Sequence, residues 1–270
     1  MRHLLVPALC LVLLAGCTRP DGGPVPPSVQ DVSYPAGRDN VAAVLHRPAG
    51  AGPFPALVVL HGDFGLTDGV REQARRLSEM GYVTLAPDLY RGEWPRELLD
   101  AHIMDRGVPE DRVQADRRAA VDYLAARPDV RKEALGVIGW DSGGGYALDA
   151  ALHDPRLKAV VVCYGRLTTD PALLAPLNAS VLGLFAGKDE GITPEIIESF
   201  RRAMLQAGKR VADLHVYPDC GPGFMSPRPS PTDVPGPPEA VADVWSRIES
   251  YLDAELERMV LPTEYPHPVG

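Results

Sequence analysis

Alternating strand and helix signals along most of the chain predict one α/β domain, built on a mostly parallel sheet with helices on both faces. Two further observations support this. The 270 residues are 45% hydrophobic, enough to bury one large core. The apolar run 135–138 passes directly into Gly139-Trp140-Asp141-Ser142-Gly143-Gly144, a strand that turns at once into a helix. Glycines two residues either side of Asp141 suit a strained turn, because a Cβ at either would collide with neighbouring backbone.

The elements follow in order. Segments 29–34 and 40–46 read as an opening antiparallel pair separated by a Pro-Ala-Gly turn. Segment 56–61 is a buried strand, and 68–80 carries Val70, Ala74 and Leu77 at helical spacing before stopping at Gly81. Strand 82–86 follows, then a polar stretch with Trp94 and His102, and a helix over 113–126. Strand 135–139 and the helix after Ser142 form the turn described above. Strands 159–164 and 181–186, helix 194–208, strand 212–217 and a last helix over 238–256 complete the domain, set at 29–258. The tail, 259–270, contains proline and carries no core pattern.

The N-terminus reads differently. Met1-Arg2-His3 precedes an apolar run from 4 to 16, too short to span a bilayer and suited to a secretion signal. Its end, Leu14-Ala15-Gly16-Cys17, resembles the lipobox of bacterial lipoproteins. That resemblance implies removal of residues 1–16, acylation of Cys17, a Pro/Gly-rich tether over 17–28 and membrane contact through the lipid. Thr18 after the cysteine would direct such a protein to the outer membrane of a cell that has one. Within the domain only Cys163 and Cys220 remain, and they are expected as free, partly buried thiols. A net charge of −9 with no basic cluster excludes nucleic acid as a partner.

Several motifs together resemble the dienelactone hydrolase family. They are Leu60-His61-Gly62-Asp63-Phe64-Gly65-Leu66, Ala86-Pro87-Asp88-Leu89-Tyr90-Arg91-Gly92, the Gly-x-Asp-x-Gly turn, Gly187-Lys188-Asp189, and Val216-Tyr217-Pro218 before Gly223-Phe224. The turn resembles the nucleophile elbow of α/β-hydrolases. The resemblance implies an α/β-hydrolase fold with an eight-stranded sheet, cleaving esters or lactones through a Cys-or-Ser, Asp, His triad and needing no cofactor or resident metal. Asp189 falls on the family's acid. Asp141 stands at the nucleophile position, and Pro222 at the position of the histidine. The family's glutamate after the strand-end histidine is replaced by Gly62. The backbone N–H groups of Asp63 and Ser142 fall where the oxyanion hole is expected.

The substitutions matter chemically. A carboxylate attacking an ester carbonyl gives an anhydride and is readily expelled again, and proline moves no proton. The ordinary triad mechanism is therefore unavailable. His102, in the variable stretch, is the one candidate for a substitute base, while His61 and His215 lie in strands and read as structural. Trp140 and Phe224 are candidates for the pocket wall or for packing, and Arg91 for binding a substrate carboxylate or for a solvated surface position. Asp88 reads as a loop anchor. Asp63, Asp141 and Asp189 all approach the carboxyl end of the sheet, where carboxylates repel unless a proton or a cation intervenes. The alternatives are a hydrolase with a rewired site, and a non-catalytic envelope lipoprotein that uses the scaffold to bind a ligand or partner.

Overall fold

The structure is a computed structural model describing residues 25–93, 95, 107, 109–225 and 235–257. Eight strands form one sheet in the order β1-β2-β4-β3-β5-β6-β7-β8. They are β1 (Ser28–Ala36), β2 (Asp39–Arg47), β3 (Phe54–Leu60), β4 (Val83–Pro87), β5 (Val130–Trp140), β6 (Leu157–Cys163), β7 (Ser180–Ala186) and β8 (Val211–Tyr217). β1 and β2 are antiparallel, β2 joins β4 antiparallel, and every later pair is parallel. The helices are α1 (Asp68–Glu79), α2 (Glu110–Ala125), α3 (Ser142–His153), α4 (Pro171–Leu174), α5 (Pro194–Gln206) and α6 (Pro238–Leu252).

The parallel strands are apolar throughout because both faces are covered. On one face, side chains of α2, α3 and α5, among them Val121, Leu148 and Phe200, close over Val58, Val137 and Val160. On the other, Leu77 of α1 and Val244 and Ile248 of α6 close over Val59, Ile138 and Val161. Thr67 caps α1, its hydroxyl accepting from Val70 N at 3.4 Å, and the helix ends at Met80 before Gly81, whose φ is +104°.

Element positions agree with the sequence pattern, and the boundaries shift for physical reasons. The first two strands run through Pro35 and Ala36, so the turn is Gly37-Arg38, with Gly37 at φ +64°. β5 begins at Val130 rather than 135. Val130 pairs with Phe54 across a register shift, carrying the charged Arg131-Lys132-Glu133 along the strand. The last helix ends at Leu252 and continues as a π-helical turn, Asp253–Glu257. The one-turn helix α4, opened by Asp170 accepting from Ala172 N at 2.8 Å, gave no periodic signal. Both Cys163 and Cys220 are free and buried, and burial pushes both thiols above their ordinary range. Among the described residues no helix is long and apolar enough to cross a membrane. Cys17 and the lipobox resemblance lie outside those residues.

Candidate active site

β5 hands over to α3 at Asp141, whose φ of +58° and ψ of −130° are strained for a residue with a Cβ. Packing enforces the turn. A Cβ on Gly139 would lie 1.9 Å from the Gly143 carbonyl oxygen, and one on Gly143 would lie 2.4 Å from the oxygens of both Leu60 and His61. Asp141 N donates to Cys163 O at 3.0 Å, and Asp141 O accepts from Gly144 N at 2.9 Å. The Asp141 side chain is exposed and stands over Gly62, where an added Cβ would meet Asp141 Cβ at 3.0 Å and Oδ2 at 3.3 Å. The family's glutamate would therefore crowd a second carboxyl against Asp141, and glycine relieves this.

Ser142 is the first residue of α3, so its N–H has no acceptor within the helix and points from the positive helix end. Asp63 follows Gly62 in the loop between β3 and α1. Its side chain is 7% exposed, so it is built into the loop and does not point to solvent. Among the described residues no three His, Cys, Asp or Glu side chains converge to hold a metal ion. The cation site considered for Asp63, Asp141 and Asp189 is thus not assembled by them.

The acid loop and the loop bearing Pro222 are joined by backbone. Gly187 N donates to Tyr217 O at 2.8 Å, and Lys188 N to Cys220 O at 3.0 Å. Asp189 Oδ1 accepts from Gly191 N at 2.7 Å and Ile192 N at 3.2 Å, so this carboxylate folds its own turn. Pro222 is exposed, with Gly223 beside it at φ +71°.

The described histidines have other duties. His61 is fully buried; Nδ1 donates to Gly62 O at 2.8 Å, and Nε2 accepts from Leu89 N at 3.0 Å. It locks the two loops that follow β3 and β4. His46 is buried on β2. His153 Nδ1 donates to Asp149 O at 2.9 Å, in the last turn of α3 and about 16 Å along the helix from Ser142. His215 packs edge-on against Tyr217, with ring centroids 4.5 Å apart. His102, the candidate substitute base, lies outside the described residues.

Three further candidates have structural contacts. Arg91, at φ +59°, clasps Asp116 through Nη2 at 2.7 Å and Nε at 3.3 Å, and reaches Asp39 at 3.2 Å. Asp116 is fully buried, so the guanidinium is committed to neutralising it. Arg91 is thus not a free solvated arginine, and its partner 25 residues away was not visible in sequence. Trp140 is buried beside Trp245, with centroids 6.2 Å apart, and Phe224 is buried between Tyr164 and Tyr217. Both pack against aromatic neighbours, as the packing alternative expects. Asp88 is the loop anchor expected, accepting from Tyr90 N at 3.1 Å and Gly92 N at 2.7 Å.

The sequence profile of the dienelactone hydrolase family matches residues 41–256. A protein named as a carboxymethylenebutenolidase in Escherichia coli strain K12 is 36% identical over 214 residues, covering 73% of this chain and 78% of that one. Another so named in Methylorubrum extorquens is 32% identical over 238 residues, covering 82% and 79%. A solved structure described as a dienelactone hydrolase from Klebsiella pneumoniae superposes with a TM-score of 0.75 at 28% identity, covering 84% of this chain and 98% of that one. With the elbow, the sheet order and the loop motifs in register, the chain belongs to the dienelactone hydrolase family.

Proposed function

We propose that this protein hydrolyses small carboxylic esters or lactones slowly, with Asp141 acting as a general base on water rather than as a nucleophile. The observation that carries the reading is the strained elbow. A side chain held at φ +58° costs on the order of 1–3 kcal/mol, and strain that packing maintains in this way clusters at active sites. The names of the relatives, carboxymethylenebutenolidases, favour a lactone.

In this mechanism the Asp141 carboxylate takes a proton from water as the water oxygen adds to the substrate carbonyl. The N–H groups of Ser142 and Asp63 are assigned to the developing oxyanion. When the intermediate collapses, the C–O bond to the leaving group breaks and the alkoxide recovers the proton from Asp141. The products are an acid and an alcohol, or one hydroxy acid from a lactone. No covalent intermediate forms, so Pro222 at the histidine position is tolerable. One positioned base contributes about 10²–10⁴-fold, well short of a full triad.

A second reading is favoured by one observation: Asp189 spends its carboxylate on its own turn. On that reading the scaffold only binds its ligand, in an envelope lipoprotein held by Cys17. The test is turnover of phenyl acetate and a butenolide by the full chain in detergent, beside Asp141→Ala. Turnover that falls at least about 100-fold in the variant supports the base assignment. Equal, near-zero rates in both would establish the binding protein. Acylation at Cys17 is a separate proposal, checked by mass spectrometry of the mature N-terminus.

A further inference from the structure

His61 follows the last residue of β3, and backbone engages both of its ring nitrogens. Leu89 N–H, 3.0 Å from Nε2, can only donate, so Nε2 is the bare nitrogen and Nδ1 carries the proton. That proton goes to Gly62 O at 2.8 Å. The Leu89 end is itself tied down. Arg112 Nη2, from α2, donates to Leu89 O at 3.2 Å, and Asp88 N in the same loop donates to Ala42 O of β2 at 2.8 Å. Tyr90 packs edge-on against the imidazole, with ring centroids 4.8 Å apart. The buried ring is thus a brace between a loop held by α2 and β2 and the carbonyl of Gly62.

What the brace holds is one peptide plane. The Gly62 carbonyl and the Asp63 N–H belong to the same planar trans unit and point in opposite directions, so fixing one fixes the other. Gly62 O also accepts from Gly65 N at 3.1 Å, but that bond closes a turn within the loop and travels with it. The His61 bond ties the plane to the sheet. The plane borders the elbow: a Cβ on Gly62 would lie 3.0 Å from Asp141 Cβ and 3.1 Å from Trp140 O. We propose that His61 is a positioning residue for hydrolysis: through Gly62 O, its Nδ1–H sets the direction of the Asp63 N–H and with it the geometry of the oxyanion hole. A donor turned out of line loses most of its worth, because hydrogen bonds weaken steeply with angle. The consequence for rate rests on the hydrolase reading, whereas the direction of the N–H is measurable without turnover.

Two substitutions separate the ring's two bonds. The Asn amide reaches as far as Nδ1, so His61→Asn keeps the donor to Gly62 O and loses the acceptor for Leu89 N–H. The Gln carbonyl reaches as far as Nε2, so His61→Gln keeps that acceptor and loses the donor. Each variant gives up one hydrogen bond and similar packing, so a merely structural role would penalise both alike. The full chain in detergent is followed by kcat and KM on a butenolide, and by the Asp63 N–H residual dipolar coupling in a stretched gel. His61→Gln should shift the coupling and lower kcat about tenfold, with KM within about twofold. His61→Asn should keep the native coupling and most of kcat. The ring ¹⁵N spectrum, which needs no variant, should show the proton on Nδ1. An unmoved Asp63 coupling in His61→Gln, equal changes of coupling or of kcat in both variants, or a proton on Nε2 would overturn the assignment. Couplings that behave as expected in a chain without turnover would support His61 as the residue that sets this N–H, and would sink the hydrolase reading alone.

Discussion

The β5–α3 turn and the paired loops after β7 and β8 follow parallel strands at the same edge of the sheet, yet they are built differently. At the turn, backbone packs on backbone: Gly139, Gly143 and the carbonyls of Leu60 and His61 leave no room for a Cβ. Only the exposed side chain of residue 141 can change without disturbing the core. In the loops, the acid serves its own turn and Pro222 projects into solvent, so residue type there is weakly tied to folding. The fold thus fixes the backbone of the elbow tightly while leaving the side chains of these loops freer.

The largest effect should come from breaking the tighter of the two regions. Gly143→Ala drives a methyl into the His61 and Leu60 carbonyls and should cost about 4 kcal/mol or more, read as a lower urea midpoint or as failure to fold. A well-folded variant of unchanged midpoint would show that the turn is looser than described. Nearly as large is Arg91→Met, which strands the buried Asp116 carboxylate and should cost about 3–5 kcal/mol by the same measurement. Replacing both partners with apolar residues should recover much of that loss.

Smaller changes sharpen the comparison. Asp189→Ala removes the acceptor for two N–H groups on an exposed turn and should cost about 1 kcal/mol, with no more than a minor effect on turnover. A loss of turnover matching that of Asp141→Ala would restore Asp189 to catalysis. Asp141→Gly should stabilise by up to about 1 kcal/mol, since glycine adopts φ +58° without strain. A pH titration gives the smallest effect, near the far end of α3. Burial raises the Asp154 carboxyl, but the Arg156 hydrogen bonds outweigh it and hold the group below its ordinary value. Its stabilising contribution is complete above the unfolded value of about 3.9 and is lost as pH falls through the lower folded value. Asp154→Asn should flatten that part of the acid unfolding curve.

The sequence made the sheet and the elbow legible because both rest on local patterns. Apolar β-branched runs mark buried strands, and paired glycines mark the turn. Arg91 was not legible, because Asp116 meets it only through the docking of α2 beside the loop after β4. Trp140 gave the same difficulty: its neighbour Trp245 arrives from α6, more than a hundred residues later. Pro222, by contrast, declared itself in sequence, because no fold can give proline a proton to move.

The most direct test of the Asp141 assignment is a single turnover of phenyl acetate in ¹⁸O-water by excess full-length protein. Product acetate and the peptide carrying Asp141 would both be weighed by mass spectrometry. General-base catalysis places one ¹⁸O in the acetate and leaves the Asp141 peptide unlabelled, with no acyl adduct at any time. Label in the Asp141 carboxylate or a trapped acyl-enzyme would establish a nucleophile instead, and no acetate above the Asp141→Ala background would leave a binding protein.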